Sequence, residues 1–244
     1  MIEQQLDIPT RDGATTTFIC HPERSGPHPV VLFYMDAPAI REELRDMCRR
    51  LASAGYYVVL PNLYYRSGVL EIGAIAGPGA DATRARMFEL MGSLTIPMIM
   101  EDTEALLAFV DSQPAARAGS VGTVGYCMSG QFAVNAAVRF PGRVTAAASI
   151  YGVRLVTDQP DSPHLAGPRT KAELYFACAE IDHWAPLEMV DALRAAVAEL
   201  GSQAEVELYA GVEHGFAFPQ RAAYNKEAAE RHWERLLALF RRRL

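Results

Sequence analysis

The sequence predicts an α/β fold, a mainly parallel central sheet with helices on both faces. Short apolar runs such as Val30-Val31-Leu32-Phe33-Tyr34 and Tyr56–Leu60 are too short for helices and have the look of strands buried on both sides. Between such runs lie stretches with apolar residues three or four apart. This alternation continues along all 244 residues without repeat, linker or low-complexity tract, so one domain spanning 1–244 is expected.

Taken in order, Ile2–Ile8 and Ala14–Cys20 read as a hairpin turned at Arg11-Asp12-Gly13. Pro29–Met35 is a buried strand. Leu44, Met47, Leu51 and Ala54 line one face of a helix over Ile40–Ala54, which Gly55 stops. Strand Tyr56–Leu60 precedes a long loop, Asn62–Ala80, and two helices, Asp81–Gly92 and Met98–Ser112. Strand Ser120–Tyr126 feeds a helix over Met128–Arg139, and strand Val144–Ile150 leads to an irregular stretch, Tyr151–Thr170. Strand Ala172–Cys178, helix Pro186–Leu200, strand Ala204–Tyr209 and a last amphipathic helix, Tyr224–Arg243, complete the order.

Composition narrows the function. With 23 basic against 29 acidic residues, the net charge of −6 argues against a nucleic-acid or other polyanion partner. The 50% hydrophobic content excludes a disordered chain, and no apolar run approaches the roughly 18 residues of a membrane span. Met1–Arg11 has no basic segment followed by an apolar one, so no secretory signal is expected. Cys20, Cys48, Cys127 and Cys178 are scattered, without a C-x-x-C pair, which fits reduced thiols in the cytoplasm.

In open α/β sheets the reactive groups sit beyond the carboxyl ends of the strands. Those positions hold Asp36, the turn Gly125-Tyr126-Cys127-Met128-Ser129-Gly130, the segment Glu180-Ile181-Asp182-His183 and Glu213-His214-Gly215. A sharp strand-to-helix turn exposes its central residue and demands small neighbours two before and two after it. Gly125 and Ser129 meet that demand, and Gly130 adds room for close packing. Cys127 would then be a nucleophile, with the Met128 amide facing an oxyanion and the helix N-terminus favouring a thiolate. A free cysteine is more often a small buried residue, and His214 and Asp182 taken singly read as a loop histidine and a helix cap. Together they follow the order nucleophile, acid, histidine of the α/β-hydrolases, each just past a different strand.

The remaining histidines share no ligand spacing, so neither a metal nor another cofactor is expected. His183 and Tyr64-Tyr65 read equally well as pocket wall or as ordinary packing. Arg241-Arg242-Arg243 suits the end of a helix.

The chain resembles the dienelactone hydrolase family of α/β-hydrolases over nearly its whole length. The resemblance rests on Val31–Asp36, Ala54-Gly55-Tyr56 with Leu60-Pro61-Asn62-Leu63-Tyr64, Val124–Gly130, Ile150-Tyr151-Gly152, Asp182 and His214-Gly215-Phe216. It implies a Cys127–Asp182–His214 triad with oxyanion donors near Ala37 and Met128. It also implies that Asp36, where the family usually has Glu, partners the thiol at rest and guards it against oxidation. Family members hold a substrate carboxylate with two arginines. Arg84, with Arg86 nearby, matches one of these, but Phe218 stands at the second and Arg221 comes slightly later. Phe218 points to a less charged, more apolar substrate, whereas Arg84 and Arg86 leave room for an anionic one.

The reading is therefore a cofactor-independent hydrolase of small esters or lactones, a monomer or homodimer, with Tyr64, Arg84, Arg86 and Phe218 near the substrate. Its rivals are a ligand-binding protein on the same fold and a thiol-redox protein using Cys127.

Overall fold

Strand β1 (Ile2–Thr10) turns back into β2 (Gly13–His21), Ile2 opposite His21 and Thr10 opposite Gly13. These coordinates come from a computed structural model that describes residues 1–166, 169–198 and 203–244. The chain forms two compact units, Met1–Ala118 and Gly119–Leu244.

In the first unit β3 (His28–Tyr34) pairs in parallel with β4 (Tyr57–Pro61), and β4 pairs antiparallel with β2, in the order β1-β2-β4-β3. Helix α1 (Glu42–Ser53) buries Leu44, Met47, Cys48 and Leu51 against β2 and β4. Its first turn carries Glu42 and Glu43, which suit the positive end of the helix dipole. Gly55 ends the turn with φ +105°, a conformation that a side chain would strain. Helices α2 (Ala80–Ser93) and α3 (Ile96–Asp111) follow; the Thr95 side chain caps α3 by accepting from the Met98 amide, and α3 packs on β1.

The second unit holds nearly all of β5 (Ala116–Tyr126), then β6 (Val144–Ile150), β7 (Glu173–Ile181) and β8 (Ala204–Glu213), ordered β5-β6-β7-β8 and all parallel. Helices α4 (Gly130–Arg139), α5 (Leu187–Ala198) and α6 (Lys226–Arg243) accompany them. Successive residues of β5 show that both of its faces are covered. A side chain at Gly122 would run into Phe240 of α6, while the Thr123 hydroxyl donates to the Ala133 carbonyl of α4. Neighbouring strand residues point to opposite faces, so the two helices lie on opposite sides.

The predicted elements are present, with three differences that matter for the site. Strands β7 and β8 outrun their expected ends because their pairing continues past an irregularity to Ile181 opposite Glu213. The helix expected from Met128 begins instead with a 3-10 turn over Cys127–Ser129, and α4 proper starts at Gly130. Helix α5 starts at Leu187, one residue later than predicted, and the predicted end at residues 199 and 200 lies outside the described residues.

Candidate active site

The turn from β5 into α4 is built around a residue in a left-handed conformation. Cys127 has φ +55°, which costs an L-residue about 1–2 kcal/mol and persists only where surrounding contacts enforce it. Those contacts are visible. A Cβ at Gly125 would lie 2.1 Å from the Ser129 carbonyl oxygen, so no side chain fits there. The Ser129 hydroxyl accepts from the Tyr126 amide at 3.0 Å and donates to the Tyr126 carbonyl at 3.1 Å, closing the turn. A Cβ at Gly130 would meet the Ser149 hydroxyl at 2.2 Å and Gly152 Cα at 2.8 Å, so α4 can approach the end of β6 only through glycine. The Val153 amide donates to the Cys127 carbonyl at 3.1 Å from the loop after β6.

Cys127 is half-buried, whereas Cys20, Cys48 and Cys178 are buried. Burial pushes the Cys20 and Cys178 thiols up to about 12 and holds Cys48 well above its ordinary value. These three stay protonated at neutral pH. Cys178 is thereby a poor resolving partner for a redox role of Cys127.

Asp182 and His214 each follow directly on the end of a strand, and β7 and β8 are neighbours, so parallel pairing delivers the two side chains side by side. His214 Nδ1 donates to Asp182 Oδ2 at 2.6 Å. The other carboxylate oxygen accepts from the amides of Trp184 at 2.9 Å and Ala185 at 3.1 Å. Burial alone would oppose a charged imidazole at His214. Hydrogen bonds to Asp182 and to Cys127, with the charges of both, outweigh it and raise the His214 pKa to about 10. Nδ1 faces Asp182, which leaves Nε2 for the thiol. The Tyr151 ring stands edge-on to the imidazole, centroids 4.9 Å apart, with its own backbone at φ +36° and its amide held by the Ala177 carbonyl. Cys127, His214 and Asp182 are thus joined in one hydrogen-bonded line.

The other residues singled out in the sequence have these surroundings. In the first unit Asp36 is buried, and Arg41 donates to both of its carboxylate oxygens, at 2.6 and 3.2 Å; Arg41 also pairs with Glu43 at 2.8 Å. The Ala37 carbonyl accepts from the Tyr64 hydroxyl at 2.9 Å. Arg84 donates to the Ile75 carbonyl and pairs with Asp81 one turn away, and Arg86 pairs with Glu89 at 2.7 Å. In the second unit Met128 is buried in the turn, and Phe218 is a core residue packed on Tyr126 and Tyr151 beneath the Arg221 guanidinium. Among the described residues no group of three or more His, Cys, Asp or Glu could hold a metal ion, and no helix is long and apolar enough to cross a membrane.

The dienelactone hydrolase family model matches residues 15–244. The chain belongs to the dienelactone hydrolase family. It is 27% identical to a Methylorubrum extorquens protein named, by inference, a carboxymethylenebutenolidase, over 99% of this chain and 81% of that one. It is 26% identical to the carboxymethylenebutenolidase of Pseudomonas putida, over 97% and 95%. A crystal structure from Klebsiella pneumoniae subsp. pneumoniae MGH 78578, its protein named by inference a dienelactone hydrolase, superposes with TM-score 0.85 at 24% identity, covering 98% of each chain. The chain therefore has the α/β-hydrolase fold, a mainly parallel sheet with flanking helices, and as a member of this family it is a lactone or ester hydrolase.

Within this dienelactone hydrolase family member several residues around the cysteine and histidine were not anticipated. Tyr151 and Val153 clasp His214 and Cys127, and the only sequence signal for them was the Ile150-Tyr151-Gly152 segment. Arg41 had no signal at all, because an arginine in a loop declares no partner until the chain folds.

Proposed function

We propose that this enzyme hydrolyses small esters or lactones through an acyl-thioester on Cys127. The observation that supports the reading is the hydrogen-bonded line Cys127–His214–Asp182 with its cysteine at φ +55°. Thiolate sulfur adds to the substrate carbonyl, and the charge that develops on the carbonyl oxygen is met by the Met128 amide. Collapse expels the alcohol, which takes the His214 proton, and leaves the acyl group on sulfur. Water then attacks the thioester as His214 removes its proton; the carboxylic acid departs and the thiolate–imidazolium pair is restored. Asp182 orients His214 and stabilises its positive form throughout. In a lactone the leaving alcohol stays tethered to the acyl group until hydrolysis.

The names of the relatives support a carboxymethylenebutenolide-like lactone as one substrate class. On this reading residues 1–244 act as one catalytic domain, a monomer or homodimer in the reducing cytoplasm, without cofactor or nucleic acid.

The test is a panel of lactones and activated acyl esters assayed with the wild type, Cys127→Ala, Cys127→Ser and His214→Ala, with intact-mass detection of acyl-enzyme. A single acyl adduct on Cys127 and loss of turnover in the alanine variants are expected. Full turnover by a folded Cys127→Ala protein ends the proposal.

A further inference from the structure

Tyr126 ends β5 one residue before Cys127, and its hydroxyl lies 3.1 Å from Nε2 of His232 on α6. Both side chains are fully buried, and His232 is the one polar member of the buried stripe described for α6. Its Nδ1 bonds the Ala229 carbonyl. A carbonyl only accepts, so Nδ1 carries the proton, and the neutral ring offers Nε2 to the Tyr126 hydroxyl as acceptor. The two rings also belong to a closed circuit of edge-on contacts. Tyr126 meets Tyr151 at 5.9 Å, Tyr151 meets Phe216 at 5.2 Å, Phe216 meets His232 at 6.1 Å, and His232 returns to Tyr126 at 5.8 Å. Tyr151 is the ring that stands edge-on to His214, and Phe216 lies two residues after that histidine. Helix α6 is tied to the same segment: the Asn225 amide donates to the Phe216 carbonyl at 3.1 Å, and the Asn225 side chain caps the helix.

We propose that the Tyr126–His232 pair positions Cys127 against His214, so that a buried hydrogen bond outside the triad sets the aim of the nucleophile. This deepens the hydrolase reading above, rests on it for the reaction, and names two positioning residues for it. Aromatic rings would hold together by buried area alone, but area does not fix how they are oriented. A hydrogen bond between hydroxyl and imidazole forms only over a narrow range of distance and angle, so it fixes the Tyr126 ring. That residue opens the left-handed turn, with its amide and carbonyl already held by Ser129. On the other side Tyr151 passes the same constraint to the imidazole. The nucleophile and its base are thus registered on one anchor, His232.

Tyr126→Phe keeps the ring and removes the hydroxyl, His232→Leu removes the acceptor, and the double variant removes both. Leu239→Val, about two turns further along the buried face of α6, is a destabilising control that leaves the pair intact. Each protein is scored by thermal midpoint, by the rate of Cys127 alkylation with iodoacetamide near pH 7, and by NMR titration of His214. Turnover of p-nitrophenyl acetate gives kcat and KM. In Tyr126→Phe, alkylation and kcat should fall by about 10-fold with KM within about twofold, since small misplacements of reacting groups act on rate. The His214 pKa should drop from about 10 as its bond to Cys127 weakens. The double variant should lose no more than the larger single loss, and Leu239→Val should lower only the thermal midpoint. Wild-type alkylation and an unmoved His214 pKa in Tyr126→Phe overturn the proposal, whatever the thermal midpoint does. Losses that simply add in the double variant overturn it too. A wild type that is alkylated at Cys127 but cleaves no ester removes the hydrolase reading, while alkylation and titration still decide the positioning.

Discussion

The amide of Val153 donates to the carbonyl of Cys127 across 3.1 Å, tying the loop after β6 to the strained residue at the end of β5. That bond belongs to a set of backbone constraints that hold a thiol where an unconstrained chain would not leave it. Such a design makes the site sensitive to changes that never touch the sulfur.

Gly125→Ala is the sharpest case. The added Cβ would overlap backbone at Ser129, 2.1 Å from its oxygen, and backbone cannot swing aside as a side chain can. A loss of about 1–3 kcal/mol or more is expected in urea unfolding. Gly142→Ala, with nothing within 4 Å and no positive φ, is the control and should stay within about 1 kcal/mol of wild type. Equal stability of the two variants would mean the turn is looser than its contacts imply.

Ser129→Ala removes the hydroxyl that serves both the amide and the carbonyl of Tyr126. Leaving a buried amide unpaired costs about 1–3 kcal/mol, so a lower thermal midpoint is expected together with slower turnover. An unaltered midpoint would show that another group satisfies Tyr126.

Asp182→Asn keeps the shape of the carboxylate but removes its charge beside His214. By analogy with serine-protease triads, kcat should fall by about 10⁴-fold, with the protein still folded. The His214 pKa should drop from about 10, measured by NMR titration of the imidazole. A pKa that stays near its wild-type value would remove Asp182 as the stabilising partner.

The same raised pKa links stability to pH. The folded His214 binds its proton more tightly than the unfolded one, so the stabilisation is complete below about 6.5 and fades as pH rises towards about 10. The stability difference between wild type and His214→Gln should accordingly shrink across that window. Urea midpoints from pH 5 to 10 would check this, and a difference that widens with pH contradicts the sign.

Cysteine labelling separates the four thiols. Burial keeps Cys20, Cys48 and Cys178 protonated and inaccessible, while Cys127 is half-exposed beside an imidazolium. Brief treatment of the native protein with iodoacetamide near pH 7 should add one carbamidomethyl group, on Cys127. Labelling at two or more sites in peptide mapping would contradict the burial pattern.

The sequence by itself determined the fold class, the order of elements and the three residues that meet at the strand ends. Val30–Tyr34 of β3 and all of β4 are apolar and buried and helix α1 keeps an apolar stripe, so local pattern and tertiary burial agree there. Cys127, Asp182 and His214 were legible because parallel topology delivers successive strand ends to the same edge. Tertiary structure alone decided how the site is held. That β7 and β8 run on to Asp182 and His214 depends on pairing between strands, which no local propensity encodes. The clasp of Val153 on Cys127, the edge-on contact of Tyr151 with His214 and the capture of Asp36 by Arg41 join residues through geometry that exists only once the backbone closes. Arg41, Arg84 and Arg86 look alike as letters. Which carboxylate an arginine engages is set by what folding brings within reach: Asp36 for Arg41, Asp81 for Arg84 and Glu89 for Arg86.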